Sequence, residues 1–112
     1  MADALLPWQR VLVLGPSMTP TVRSGDAVLV RRGARIRRGD VVLATFRDNP
    51  GRMVVKRAVR PVGDGWEVAS DNPFAGSDSS VHGLADVHGR AVLRLRAGWW
   101  PEPVSRARSE SE

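Results

Sequence analysis

Glycine and proline cut this chain into short pieces, and that punctuation limits what it can fold into. Eleven glycines and eight prolines fall among 112 residues. The apolar runs between them are short and rich in valine, a β-branched residue that packs well on a pleated surface. No stretch holds a helical period for three turns. The pattern predicts an all-β fold with little helix. The expected strands are Arg10–Leu14, Asp26–Arg31, Asp40–Phe46, Met53–Val62, Trp66–Ala69 and Ala91–Ala97, with a single helical turn at Leu84–Val87.

The turns between these runs carry their own signals. Gly63-Asp64-Gly65 reads as a hairpin turn. Asn49-Pro50-Gly51 joins the third strand to the fourth, and Asp71–Ser80 is a polar loop. Arg23-Ser24-Gly25-Asp26 is echoed by Arg37-Arg38-Gly39-Asp40, and each leads into an apolar run. The echo predicts one turn chemistry used twice, not a repeat architecture. Trp99-Trp100-Pro101-Glu102-Pro103 is expected to end the ordered part, with its tryptophans packed over the sheet. The division is an N-terminal segment 1–10, one domain over 11–104, and a disordered tail 105–112 without an apolar anchor.

Composition excludes several chemistries. There is no cysteine, so no disulfide framework and no thiolate metal site. His82 and His88, six apart, fit no metal-ligand pattern, so neither a metal nor another cofactor is expected. The net charge of +5 comes from 16 arginines and a single lysine. The densest cluster, Arg31–Arg38, reads as a solvated loop between strands rather than a nucleic-acid surface. No apolar run is long enough for a membrane span, and Met1–Arg10 carries Asp3 and no secretory signal pattern. The expectation is a soluble, cytoplasmic chain without a membrane anchor.

Two residues stand out against this background. Ser17 lies in Gly15-Pro16-Ser17-Met18-Thr19-Pro20, where two prolines fix φ and remove backbone donors. Such a turn can hold a hydroxyl outward. Lys56 is the only lysine in the chain. Arginine supplies charge but cannot be deprotonated in a protein; lysine can, when buried. Period-two alternation places Lys56 on one face with Val54 and Ala58. If that face is buried, desolvation lowers the amine pKa, by up to about 3–5 units at full burial. A shift of about three units costs roughly 4 kcal/mol, which a fold bears only if the neutral amine has work to do. Ser17 and Lys56 thus make a candidate nucleophile and general base.

The motifs, taken in order, resemble the type I signal peptidase family. Gly15-Pro16-Ser17-Met18-Thr19-Pro20-Thr21 is similar to its nucleophile box, and Arg38-Gly39-Asp40-Val41-Val42 to its Gly-Asp-Val-Val strand. Val55-Lys56-Arg57-Ala58-Val59 is similar to its lysine box. Asp71-Asn72-Pro73 followed by Ser77-Asp78-Ser79 is similar to its Asp-Asn box, and Gly83 to Arg90 to the stretch after it. The likeness runs over roughly Val11 to Arg94. Within the family it is nearest to the subgroup of nickel-type superoxide dismutase maturation proteases.

The resemblance implies a signal-peptidase- and repressor-type β-fold with a serine–lysine dyad. It implies catalysis by Ser17 and Lys56, with Gly15, Met18, Val54 and Val55 lining the oxyanion and substrate site. Asp71, Asn72, Ser77, Asp78 and Ser79 would form the supporting loop. The partner would be the leader peptide of a precursor protein, an extended segment with small residues before the cut. Three positions depart from the family pattern: Ser70 stands for glycine, Gly76 for a hydroxyl residue, and Ser80 for arginine. Asp78 is then expected to pair with another arginine, and Ser77 or Ser79 to orient the lysine amine. Three other readings stay open: a leader-binding homologue without activity, a self-cleaving repressor-type domain, and a basic β-domain that binds nucleic acid. The 16 residues before Ser17 leave little room for the internal scissile segment of a repressor.

Overall fold

The structure, a computed structural model, describes residues 7–72, 74, 79–96 and 100–104. The expectations for Ser77, Asp78, Trp99 and the tail 105–112 lie outside the described residues, as does that for the Trp100 side chain. Seven strands make one antiparallel sheet: β1 Trp8–Leu12, β2 Ala27–Arg32, β3 Val41–Phe46, β4 Val54–Val62, β5 Gly65–Ala69, β6 Ala85–Arg96 and β7 Trp100–Pro103. One helical turn, α1, spans Ser79–His82. The fold is all-β, as the punctuation implied.

The strand order is β1-β2-β6-β3-β4-β5, with β7 added on β6. A single pair, Trp66↔Ala85, brings β5 back to β6 and closes β6-β3-β4-β5 into a ring. β3 lies inside the fold and is buried at all six positions. Its alternation feeds two cores. Val41 and Leu43 join Val13, Met18, Val22, Val28, Val30, Val55 and Ala91. Val42, Ala44 and Phe46 join Ala58, Val68 and Ala85 on the other side. A strand apolar on both faces is what such double burial requires.

The echoed turns are the same structure twice. In each, the aspartate N–H donates to the arginine carbonyl three residues back, Asp26 to Arg23 at 2.9 Å and Asp40 to Arg37 at 3.1 Å. Gly25 and Gly39 take φ of 94° and 89°, the third position of a type II turn, where a side chain would strain the backbone. Each aspartate then accepts from the arginine N–H, at 3.0 and 2.8 Å. That bond satisfies a donor that neither strand can reach.

Three sequence expectations need correction. The helical turn is at Ser79–His82, not Leu84–Val87. Leu84–Val87 instead enters β6, which begins at Ala85 rather than Ala91. Ala85 and Val87 point into the second core, a period-two pattern that Gly89 interrupts in the sequence. Gly89 is where β6 crosses β2: a Cβ there would lie 2.6 Å from Val30 Cγ1 and 2.7 Å from the Arg31 carbonyl oxygen. Third, the tryptophan–proline segment, not among the expected strands, forms one, because Trp100–Pro103 pairs with β6 over Leu93–Arg96. Prolines fit there because β7 is an edge strand. The Arg31–Arg38 segment is a loop only in part: Arg31 and Arg32 end β2, while Arg35, Arg37 and Arg38 are exposed between β2 and β3.

Candidate active site

The segment from β1 into the Ser17 turn forms one wall of a cavity of about 520 Å³. Val11 to Ser17 line it in an unbroken run, and Arg52 to Lys56 line the facing wall. Leu43 and Phe46 of β3, with Asn49 and His82, complete the lining. Gly15, Ser17, Val54, Val55 and Lys56, all expected at the site, meet here. Met18 does not: it is 1% exposed, sits in the first core, and its Sδ accepts from the Asp71 N–H at 3.4 Å. Its side chain fills the core under the turn rather than facing the cavity.

Each wall has a physical origin. The Ser17 turn closes on itself through Thr19 N–H to the Pro16 carbonyl, 3.0 Å, and Val22 N–H to the Met18 carbonyl, 2.9 Å. The Thr19-Pro20 peptide is cis. Asn72 clamps the outer side of the turn. Its backbone N–H donates to the Ser17 carbonyl at 2.8 Å, and its Nδ2 to the Pro16 carbonyl at 3.1 Å. Both carbonyls are thereby held, and Ser17 lines the cavity. Gly15 N–H is bound to Ser24 Oγ at 3.1 Å.

Lys56 stands on β4 opposite Val42. It is 4% exposed, on the same face as Val54 and Ala58, both of which pack in the second core. The alternation argument therefore holds: this amine is desolvated. Its Nζ lies 2.9 Å from Ser70 Oγ. Ser70 directly follows β5, and the register that pairs Arg57 with Ala69 brings Ser70 opposite Lys56. The β4–β5 pairing stops at Arg57. Among the described residues, Val54 and Val55 thus pair with β3 but with no β5 residue.

The supporting segment is tied in by a network the sequence did not reveal. Arg57 Nη2 lies 2.5 Å from Asp71 Oδ2, its Nε donates to Asp71 Oδ1 at 3.1 Å, and its Nη1 to the Gly39 carbonyl at 2.9 Å. Thr21 Oγ1 donates to the same Asp71 carboxylate and accepts from Arg57 Nη2 at 3.3 Å. The two ionic side chains are only 14% and 18% exposed. One ion pair thus links the lysine strand, the second aspartate turn, the Asp71 segment and the far end of the serine turn. Ser79, expected as a possible partner of the amine, accepts instead from the Val68 N–H at 2.9 Å. His82 is bonded to Asp48 at 2.9 Å and stacked on Phe46. Among the described residues no cluster of three or more His, Asp or Glu could hold a metal ion.

A serine turn and a buried lysine facing one cavity, on an all-β frame, agree with a comparison of protein families. Residues 10–92 match the family model described as Peptidase S24-like. The chain belongs to the Peptidase S24-like family. The match begins in β1 and ends within β6, so this S24-like region holds both walls of the cavity. The human mitochondrial inner membrane protease subunit 1 is 35% identical over 75 residues, which cover 63% of this chain and 45% of that protein. The mitochondrial ATP-independent inner membrane protease subunit 1a of Arabidopsis thaliana is 32% identical over 121 residues, covering 80% of this chain and 70% of that protein. This S24-like chain thus spans just under half the length of the human relative. No helix of the described residues is long and apolar enough to cross a membrane.

Proposed function

We propose that the chain is a serine endopeptidase in which Ser17 is the nucleophile and Lys56 the general base. One observation carries the reading: Ser17 and a lysine that is 4% exposed line the same cavity. In this reading Ser17 Oγ attacks the scissile carbonyl while neutral Lys56 takes its proton. The ammonium then donates to the leaving amine. A water activated by the same lysine releases the acyl group, and the dyad returns to its starting state.

The substrate lies extended between the two walls, as an added strand beside Val54 and Val55, which pair with no β5 residue among those described. With the Gly15 N–H already bound to Ser24, the oxyanion donor in this reading is the Ser17 N–H. One such donor typically supplies about 3–4 kcal/mol to the transition state. The names of the two relatives, both protease subunits, support cleavage of a separate chain over self-cleavage. From the motif resemblance we infer the substrate to be the leader of a precursor protein, nickel-type superoxide dismutase first among candidates.

The test is cleavage of that precursor followed by intact mass. Wild type should release a single leader fragment. Ser17→Ala and Lys56→Arg should release none while melting cooperatively. Cleavage by Lys56→Arg at a rate near wild type would overturn the general-base assignment. Intact precursor with every variant, alongside cleavage of another leader, would move the substrate and keep the chemistry.

A further inference from the structure

We propose that Ser70 is the positioning residue for the Lys56 amine, holding one N–H so that the nitrogen lone pair is confined toward Ser17. This rests on the serine–lysine reading above. It begins from a departure: Ser70 stands where the signal peptidase pattern has glycine, a residue with no hydroxyl to offer.

The geometry follows from register. Arg57 pairs with Ala69 and Ala58 with Val68, so the next antiparallel position places Ser70 across from Lys56. Side chains directly opposite on neighbouring strands share a face, with Cβ atoms about 5 Å apart. Ser70 Oγ indeed lies 2.9 Å from Lys56 Nζ, an ordinary hydrogen-bond length. Ser70 is half-buried and Lys56 is 4% exposed.

The chemistry gives the contact its value. A neutral amine has two N–H donors and one lone pair, and a lysine side chain ends in a freely turning bond. In water that rotor aims the lone pair anywhere. Held by Ser70, the amine has one donor fixed, and the lone pair keeps only the two remaining staggered directions. The hydroxyl serves both protonation states, since it accepts from amine and ammonium alike. It can therefore hold the nitrogen through the whole cycle of proton uptake and release. Of the two serines expected to do this, Ser79 is engaged with the Val68 N–H, and Ser77 lies outside the described residues.

Two measurements test this. The first is steady-state kinetics of Ser70→Ala and Ser70→Thr on the cleaved precursor. Ser70→Ala should lower kcat about tenfold, the scale of one hydrogen bond's net worth, with KM within about twofold. Ser70→Thr, which restores a hydroxyl, should recover most of kcat. The second needs no activity. Because Lys56 is the only lysine, protein labelled with 15Nζ,13Cε-lysine has one labelled side chain. The Ser70→Ala variant should shift the Lys56 Nζ and Cε resonances, and Ser70→Thr should return them toward wild type. Unchanged resonances in Ser70→Ala, or a change confined to KM, would overturn the proposal. If wild type cleaves neither that precursor nor any other leader, the dyad reading fails on the kinetics while the resonances still decide whether Ser70 holds the amine.

Discussion

The proposed neutral amine makes a prediction about stability that needs no substrate. The chain has no tyrosine and no cysteine, and one lysine. Above the range of its two histidines and α-amino group, and below that of arginine, Lys56 is therefore the only side chain that titrates. Unfolded, it releases its proton near 10.4. In the proposed serine–lysine reading the folded amine, 4% exposed, is neutral at pH 7. The folded pKa of this base is then the lower one. Between the two values the unfolded chain carries one more proton than the native one, so stability rises with pH. The slope is about 1.36 kcal/mol per pH unit, and it vanishes above the unfolded value. A largely neutral amine at pH 7 requires a gap of more than about three units, hence a gain of roughly 4 kcal/mol on going from pH 7 to 10.4. Urea unfolding followed by tryptophan fluorescence, repeated every half unit from pH 8 to 10.5, reads this directly. Lys56→Met should remove the slope and leave a flat profile. A flat wild-type profile would refute the neutral-amine reasoning, whatever the activity.

Arg57→Met should leave Asp71 unpaired among partly buried groups and cost about 2–3 kcal/mol, below the 3–5 kcal/mol of a fully buried pair because both side chains keep some exposure; chemical denaturation checks it. Asn72→Ala removes the bond to the Pro16 carbonyl and should cost only about 1 kcal/mol of stability, yet lower kcat more than that loss predicts, because the clamp holds the serine turn. Gly89→Ala should destabilise by about 2 kcal/mol or more, since the added methyl meets both the buried Val30 side chain and the Arg31 backbone, and a thermal melt suffices to see it. The carboxyl of Glu102, hydrogen-bonded by Arg94 and then Arg96, is held below the usual range, so its contribution to docking β7 is present above that range and is lost as pH falls through the folded value. Faster hydrogen exchange of the Val104 N–H, which donates to the Val92 carbonyl, should report that loss in acid.

Much of the frame could be read from the chain, because the signals that set it are local. The echoed Gly-Asp turns, the Gly63 hairpin and the buried β3 depend on residues adjacent in sequence. The burial of Lys56 was also legible, since alternation needs only its neighbours. The misses have physical causes. β6 was cut short because Gly89, required by a close crossing with β2, looks like a loop residue in isolation. β7 was missed because prolines disguise an edge strand. Met18 was placed at the cavity because it adjoins the nucleophile, but a turn sends neighbouring side chains in different directions. Ser70 stands out in the sequence only as a departure from the family's glycine; its contact with Lys56 depends on a register two strands must agree on.

The same dependence explains why the site is built around Arg57 and Asp71. Ser17 and Lys56 belong to different elements, and the lysine strand loses its β5 partner just where the cavity begins. Strand pairing alone therefore does not fix the distance between the two walls. Residues at the end of β5 do so instead. Ser70 meets the lysine, Asp71 pairs with Arg57 and receives Thr21, and Asn72 holds the serine turn. Three consecutive residues thus touch the amine, the ion pair and the serine turn in sequence order. A shift of this segment by one residue would break all three contacts at once. Such coupling predicts that Asp71→Asn perturbs the Lys56 Nζ resonance as well as Ser17 reactivity, although Asp71 itself touches neither side chain in the hydrogen bonds that hold it. An Asp71→Asn protein with a wild-type lysine resonance would show that each contact acts alone.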